Sequence, residues 1–165
     1  MKITEKKIQN IVERISKQNQ EQAEELMERF SKEQPFVLGY AFMMEEQFEN
    51  ESDLELLVFL LCATWQAFEE QFGELPLIDE EMLANTAESY FSEMQDKSAF
   101  VGKTDEQIAE MQAERLKNHP QADLMEFVSA FVYAHKMSEN DLRAQGAIIT
   151  VAHVAINAFQ KAVSK

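Results

Sequence analysis

Apolar residues recur along most of this chain at three- and four-residue intervals, which is the spacing of an amphipathic α-helix. The first apolar stripe spans residues 4–33 and is interrupted by a polar segment at 16–22. This pattern predicts one long helix or two helices with a joint. We expect residues 1–33 to lie at the periphery of the domain or to serve in dimerisation, and the sequence leaves both open.

Start and stop signals predict six further helices. Pro35 and Pro120 suit the first turn of a helix, Asp79 and Ser138 suit N-caps, and a Ser/Thr-x-x-Glu/Gln capping box opens at Ser52 and again at Thr104. Gly73 stands where a glycine would end a helix. The predicted helices span about 35–49, 53–72, 80–96, 104–118, a segment from 120, and 139–163.

Two of these helices, at about 53–72 and 139–163, are apolar on nearly all sides in their middle turns. A helix with that character is buried on several sides. No segment alternates apolar and polar residues between turn residues, so no strand is predicted. We therefore expect an all-α protein, a compact bundle of about six to seven helices in a single domain, 1–165, with these two helices at the centre.

Composition supports this architecture and indicates a compartment. Only four glycines and three prolines are present, which favours long helices. The single cysteine, Cys62, excludes an intramolecular disulfide, and it falls in the most apolar run, where a thiol is inert. The chain begins MKITEKKIQN, without the apolar segment of a secretory signal. We expect a cytoplasmic protein.

Charge is distributed unevenly along the chain. The formal net charge is −15, yet no Lys, Arg or His occurs from Pro35 to Asp96. A surface of this kind disfavours direct nucleic-acid binding and anionic membranes, because both need basic side chains against phosphates. It is compatible with a basic protein partner.

The stretch EEQFGELPLIDEEM, residues 69–82, holds six carboxylates in fourteen residues. Helix caps and the helix dipole explain Asp79, Glu80 and Glu81 at the start of a helix. Nothing in the pattern explains Glu69, Glu70 and Glu74, which fall near the end of the preceding helix, where acids are slightly unfavourable. We expect Leu75, Leu77 and Ile78 to tuck the connection onto the core. These six carboxylates form the predicted partner-binding acidic face.

Metal and cofactor chemistry finds no support in the sequence. The chain has three histidines and lacks the His-Glu-x-x-His and Glu-x-x-His patterns and a calcium loop. Gly102-Lys103-Thr104 resembles the end of a phosphate-binding loop, but Lys97 stands where that loop needs a glycine. We predict no metal, no cofactor and no catalytic residue.

A small pocket is the main alternative site. His153 and Asn157 are four residues apart and share a helix face with Thr150. We expect an apolar pocket bordered by these residues and Trp65, or else a satisfied polar group in the core. Arg143, earlier on the same helix, is a candidate partner for an acid of the base-free segment.

Three functions remain for such a chain. The leading prediction is a non-catalytic interaction, adaptor or regulatory protein that docks a basic partner. The alternative is a small-ligand-binding domain, and an enzyme of unrecognised type is the least supported. Methionine and aromatic side chains crowd residues 36–72, and we interpret them as core, with an adaptable binding groove as the alternative.

Overall fold

The computed structural model describes residues 1–135 and 142–165, and every regular element within them is helical. Eight helices have nine residues or more, so the predicted all-α bundle is confirmed with more helices than the six to seven expected. The helices are α1 (Glu5–Ser16), α2 (Gln20–Glu33), α3 (Pro35–Met43), α4 (Glu51–Phe72), α5 (Glu80–Met94), the four-residue turn α6 (Lys97–Phe100), α7 (Asp105–Lys117), α8 (Ala122–Ala134) and α9 (Leu142–Val163).

The first apolar stripe forms two helices because a capping box interrupts it. The Asn19 side chain accepts a hydrogen bond from the Gln22 backbone N–H at 2.9 Å, and the Gln22 side chain accepts one from the Asn19 N–H at 3.1 Å. These bonds satisfy backbone donors that a continuous helix would pair internally. Of the two arrangements left open by the sequence, the structure has two helices.

Most of the predicted helix ends are confirmed. Asp79 caps α5 by accepting a hydrogen bond from the Met82 N–H at 2.7 Å, and Thr104 caps α7 within a capping box. Pro35 is the first residue of α3, and Gly73 ends α4 with a φ of 87°, a conformation that favours glycine.

Two predicted starts are wrong. The capping box at Ser52 does not form, because α4 already begins at Glu51 after Asn50. Pro120 does not open α8, which begins at Ala122. Both observed starts lie within two residues of the predicted ones. The predicted cap at Ser138 lies outside the described residues.

Helices α4 and α9 form the centre, as predicted. They pack against each other, and Phe68 of α4 lies against Phe159 of α9 with ring centroids 5.4 Å apart. Helices α1 and α3 cover α4 on its other sides, and α5 and α8 cover α9. The core therefore runs between two long helices, each shielded by shorter ones.

Helix α1 belongs to this shield. Ile8 and Ile11 are almost fully buried where α1 meets α4 and α8. The buried Gln121 side chain fixes the preceding segment, since its Oε1 accepts from the Ile3 N–H at 2.8 Å and its Nε2 donates to the Met1 carbonyl at 3.0 Å. The apolar stripe of α1 is thus covered within the chain, and dimerisation stays a prediction.

One helix in the described part of the chain, α9, is long and apolar enough to cross a membrane by length and composition. Of its most apolar window, 56% is buried inside the fold. Core helices of globular proteins meet the same criteria.

Candidate functional site

Two of the three unexplained acids are used inside the fold. Glu70 pairs with Arg14 of α1 at 2.5 Å. Glu69 pairs with Arg29 of α2, whose guanidinium also pairs with Glu33 at 2.8 Å and lies 4.8 Å from the centre of the Trp65 ring. The acids at the end of α4 therefore serve as ion-pair partners for the arginines of α1 and α2, which pack against α4.

Glu69 is the more enclosed of these two acids, with a side chain only 13% exposed. Burial raises its pKa above the ordinary value, and the nearby Arg29 guanidinium acts in the opposite direction. Glu69 and Glu70 are therefore already paired within the chain, although Glu70 is exposed. The acidic face stays a prediction, and its other four members are Glu74, Asp79, Glu80 and Glu81.

Those four acids, Glu74, Asp79, Glu80 and Glu81, are all exposed. None of them forms an ion pair with a residue in the described ranges. Asp79 is engaged as a helix cap. Arg29 lines the same surface depression as Glu74, and Lys161 and Lys165 line one with Asp79 and Glu81. Glu80 lines a groove whose lining residues include no base. The electrostatic surface available to a partner therefore lies at the α4–α5 connection and the first turn of α5.

The connection itself is fastened by a buried side chain that the sequence did not reveal. Gln34 is fully buried between α2 and α3. Its Nε2 donates to the Pro76 carbonyl at 3.0 Å, and its Oε1 accepts from the Ile78 N–H at 3.0 Å. Leu75 and Ile78 are buried as predicted, but Leu77 is 52% exposed, because the two bonds hold its flanking residues and turn its side chain outward.

An apolar groove of about 440 Å³ lies between α3 and α5, next to this connection. Phe36, Tyr40 and Met43 line it from α3 at i, i+4 and i+7 positions. Glu80 lines it from the first turn of α5. The sequence pattern predicts core positions for the methionine and aromatic residues of segment 36–72. Trp65 and Phe68 are buried as predicted, but Met43 is 78% exposed.

The predicted pocket around His153 has a different membership. A cavity of about 260 Å³ between α5, α7, α8 and α9 is lined by His153, Asn157 and a residue not predicted, His119. Trp65 and Thr150 do not line it. Trp65 instead stacks on Phe30 with ring centroids 5.1 Å apart, on another side of α4.

The polar groups of this cavity bond one another. The Gln121 N–H donates to His119 Nδ1 at 3.0 Å, so His119 carries its proton on Nε2, which lies 3.0 Å from Asn157 Oδ1. His153 Nε2 lies 3.2 Å from the Met125 carbonyl, an acceptor, so that nitrogen is protonated and Nδ1 accepts from the Tyr90 hydroxyl at 3.3 Å.

Burial governs the charge state of this network. It lowers the pKa of His119 and lowers the pKa of His153 to about 4, so the cavity floor is neutral near pH 7. The charged residues that line the cavity, Glu93 and Arg115, are of opposite sign. Arg115, at the cavity edge, donates to the Glu93 backbone carbonyl.

Other candidate residues have structural surroundings. Cys62 is 2% exposed, and burial raises the pKa of its thiol to about 12, so it is an inert thiol near neutral pH. Arg143 was expected to meet an acid; instead its Nε and Nη2 donate to Gln47 Oε1 at 3.0 and 2.6 Å. Over residues 1–135 and 142–165, no three His, Cys, Asp or Glu side chains are grouped as a metal site would need.

Comparison with known proteins adds no family. The chain matches no family model, no curated protein and no solved structure.

Proposed function

We propose that this chain is a non-catalytic interaction module that docks a basic partner. The observation that supports this proposal is a set of exposed acids at the α4–α5 connection, within a segment free of bases, that form no ion pair with a described residue. Acids on one face of a protein steer a basic partner and fix its orientation through complementary potential. We place the partner at Glu74, Asp79, Glu80 and Glu81, the members of the predicted face that form no ion pair with a described residue.

The chain contains a matched pair of sites for testing this face. Glu80 and Glu81 are the exposed first-turn acids of α5, and Asp105 and Glu106 are the exposed first-turn acids of α7. Neutralising either pair changes the net charge and the helix dipole by the same amount. Only the first pair belongs to the proposed face.

The probe is a fluorescent, lysine-rich, unstructured peptide, whose affinity is measured by anisotropy. We expect Glu80→Gln/Glu81→Gln to weaken binding several-fold, since each exposed pair contributes up to about 1 kcal/mol. Asp105→Asn/Glu106→Gln should have a much smaller effect. Equal losses for both variants would show a response to net charge alone, and binding that ignores ionic strength would contradict an electrostatic face.

The cavity at His119, His153 and Asn157 favours a second candidate function, binding of a small apolar or aromatic ligand. Its volume of about 260 Å³ falls below the roughly 300–1,000 Å³ of usual ligand pockets. Its polar groups are also satisfied within the chain. These two facts place it behind the docking function.

Methionine methyl resonances test this second candidate directly. Met94 and Met125 line the cavity, whereas Met43 does not. Titration with small aromatic compounds such as indole should shift the Met94 and Met125 methyl signals and leave Met43 unchanged. Titrations that leave the first two signals unmoved would remove this candidate.

A further inference from the structure

The groove between α3 and α5 has the shape of a receptor for a helix. Its α3 wall presents Phe36 and Met43, which are 39% and 78% exposed. Large apolar side chains this exposed, on one face of one helix, are unusual in a surface that meets only water. Helix-in-groove recognition uses anchors at this i, i+4, i+7 spacing.

The middle of the groove is open because its residues are small. Gly39 lies between the α3 anchors, and Ala84 and Ala87 face it from α5. A Cβ atom placed on Gly39 would meet no atom within 4 Å. The groove thus has space for apolar side chains supplied by another molecule.

Charge identifies the chemistry of that molecule. Every residue that lines the groove lies between Pro35 and Asp96, where the chain has no base. Glu80 lines the groove itself. Exposed Glu45 and Glu46 follow α3, and exposed Glu88 follows Ala87 on α5. An occupant therefore needs apolar anchors flanked by positive charge.

A second apolar groove, of about 490 Å³, lies between the α1–α2 pair and α4 and is lined by Phe42, Leu26 and Met27. Glu51 and Glu55 line it, and the exposed Lys17, beside it in sequence, is paired with Glu13. Charge alone therefore does not separate the two grooves. Among the large apolar residues that line the second groove, Phe42 is the exposed one, whereas Phe36 and Met43 are both exposed in the α3–α5 groove. The α3–α5 groove therefore offers a partner helix more exposed apolar surface.

We propose that the α3–α5 groove receives an amphipathic helix of a basic partner. The apolar face of that helix occupies the space over Gly39 and contacts Phe36, Tyr40 and Met43. Its lysine or arginine side chains meet Glu80 and the neighbouring acids. This inference rests on the proposed docking function and adds the place and the form of the recognised segment.

The probes are two synthetic peptides of about 18 residues. At this length an isolated helix begins to be stable. Both contain the same leucine, alanine and lysine residues. One has its leucines on a single helical face, and the other has them scattered. Anisotropy at low ionic strength should give at least about tenfold tighter binding of the amphipathic peptide, because only that one can bury its apolar face.

Four variants locate the peptide. Gly39→Leu fills the groove without removing a contact, and Met43→Gln removes an exposed anchor. The matched control is Val101→Gln, because Val101 is 77% exposed and lies away from the groove. Phe42→Gln alters the neighbouring groove. We expect Gly39→Leu and Met43→Gln to weaken binding about tenfold, and the two others to leave it within about twofold.

The outcomes separate this inference from the proposed function. If both peptides bind equally and lose affinity with salt, electrostatic docking stands and the groove proposal falls. If neither binds, both proposals fall. Loss caused by Phe42→Gln rather than Met43→Gln would move the site to the other groove. A stable dimer that Gly39→Leu dissociates would show that a second copy of the chain is the occupant, which also overturns the proposal.

Discussion

Gln34 should contribute more to stability than any sequence pattern around it indicates. Its side chain is fully buried and bonds the Pro76 carbonyl and the Ile78 N–H, both at 3.0 Å. Gln34→Leu keeps nearly the same volume and removes both bonds. The perturbation therefore isolates hydrogen bonding from packing.

The magnitude follows from what the substitution leaves behind. Ile78 is fully buried, so its N–H has no other acceptor once the Gln34 amide is gone. Leaving this donor unpaired lowers the free energy of unfolding by about 1–3 kcal/mol. Pro76 is exposed, so its carbonyl can bond water at smaller cost. We expect a loss of about 2–4 kcal/mol in the free energy of unfolding, or a Tm lower by about 5–12 °C.

Urea unfolding followed by the fluorescence of Trp65, the single tryptophan, measures this loss. The denaturant dependence should stay the same while the midpoint falls. The matched control is Gln95→Leu, because Gln95 is exposed at the end of α5 and should change stability by less than about 0.5 kcal/mol. Equal stability of the two variants would refute the proposed role of Gln34.

Three further predictions concern charge and backbone. Burial lowers the pKa of His153 to about 4, so folding favours its neutral form. The stability that this form contributes is present above about pH 6.5 and is lost as pH falls toward 4, by up to about 1.4 kcal/mol per pH unit. His153→Gln should flatten this dependence when the free energy of unfolding is measured across acidic pH. Burial raises the pKa of Glu69, so folding favours its protonated form. Glu69→Gln should change the free energy of unfolding by less than about 1 kcal/mol at neutral pH. As pH falls through the folded pKa, the wild type should become more stable relative to this variant, and paired urea titrations would show the difference. Gly39→Ala should raise stability by about 0.5–1 kcal/mol, since Gly39 is inside α3 with open space at its Cβ, and a lower Tm would contradict this.

The helices could be predicted because their signals are local. Apolar spacing and caps such as Asp79 and Thr104 involve residues within one or two turns of each other, and the structure confirms them. The centre of the bundle was also predictable, since a helix that is apolar on most sides has to be buried. Asn19 and Gln22 form an equally local capping box, and their three-residue spacing is a signal that the sequence also contains.

The site depended on contacts between distant parts of the chain. Gln34 and Ile78 are 44 residues apart, and Arg14 and Glu70 are 56 apart. No short-range pattern indicates that a glutamine turns Leu77 outward or that arginines neutralise Glu69 and Glu70. The place of His119 in the cavity also depends on a distant contact, because its hydrogen-bond partner Asn157 lies on α9.

The most direct test of the docking account is a cycle of two proteins and two peptides. The proteins are the wild type and Glu80→Gln/Glu81→Gln, and the amphipathic peptides carry either lysine or glutamine on the polar face. The account predicts that neutralising the acids lowers the affinity for the lysine peptide several-fold and leaves the affinity for the glutamine peptide unchanged. The coupling energy should be up to about 1 kcal/mol for each charge pair. The same change in affinity for both peptides, or none for either, would contradict it.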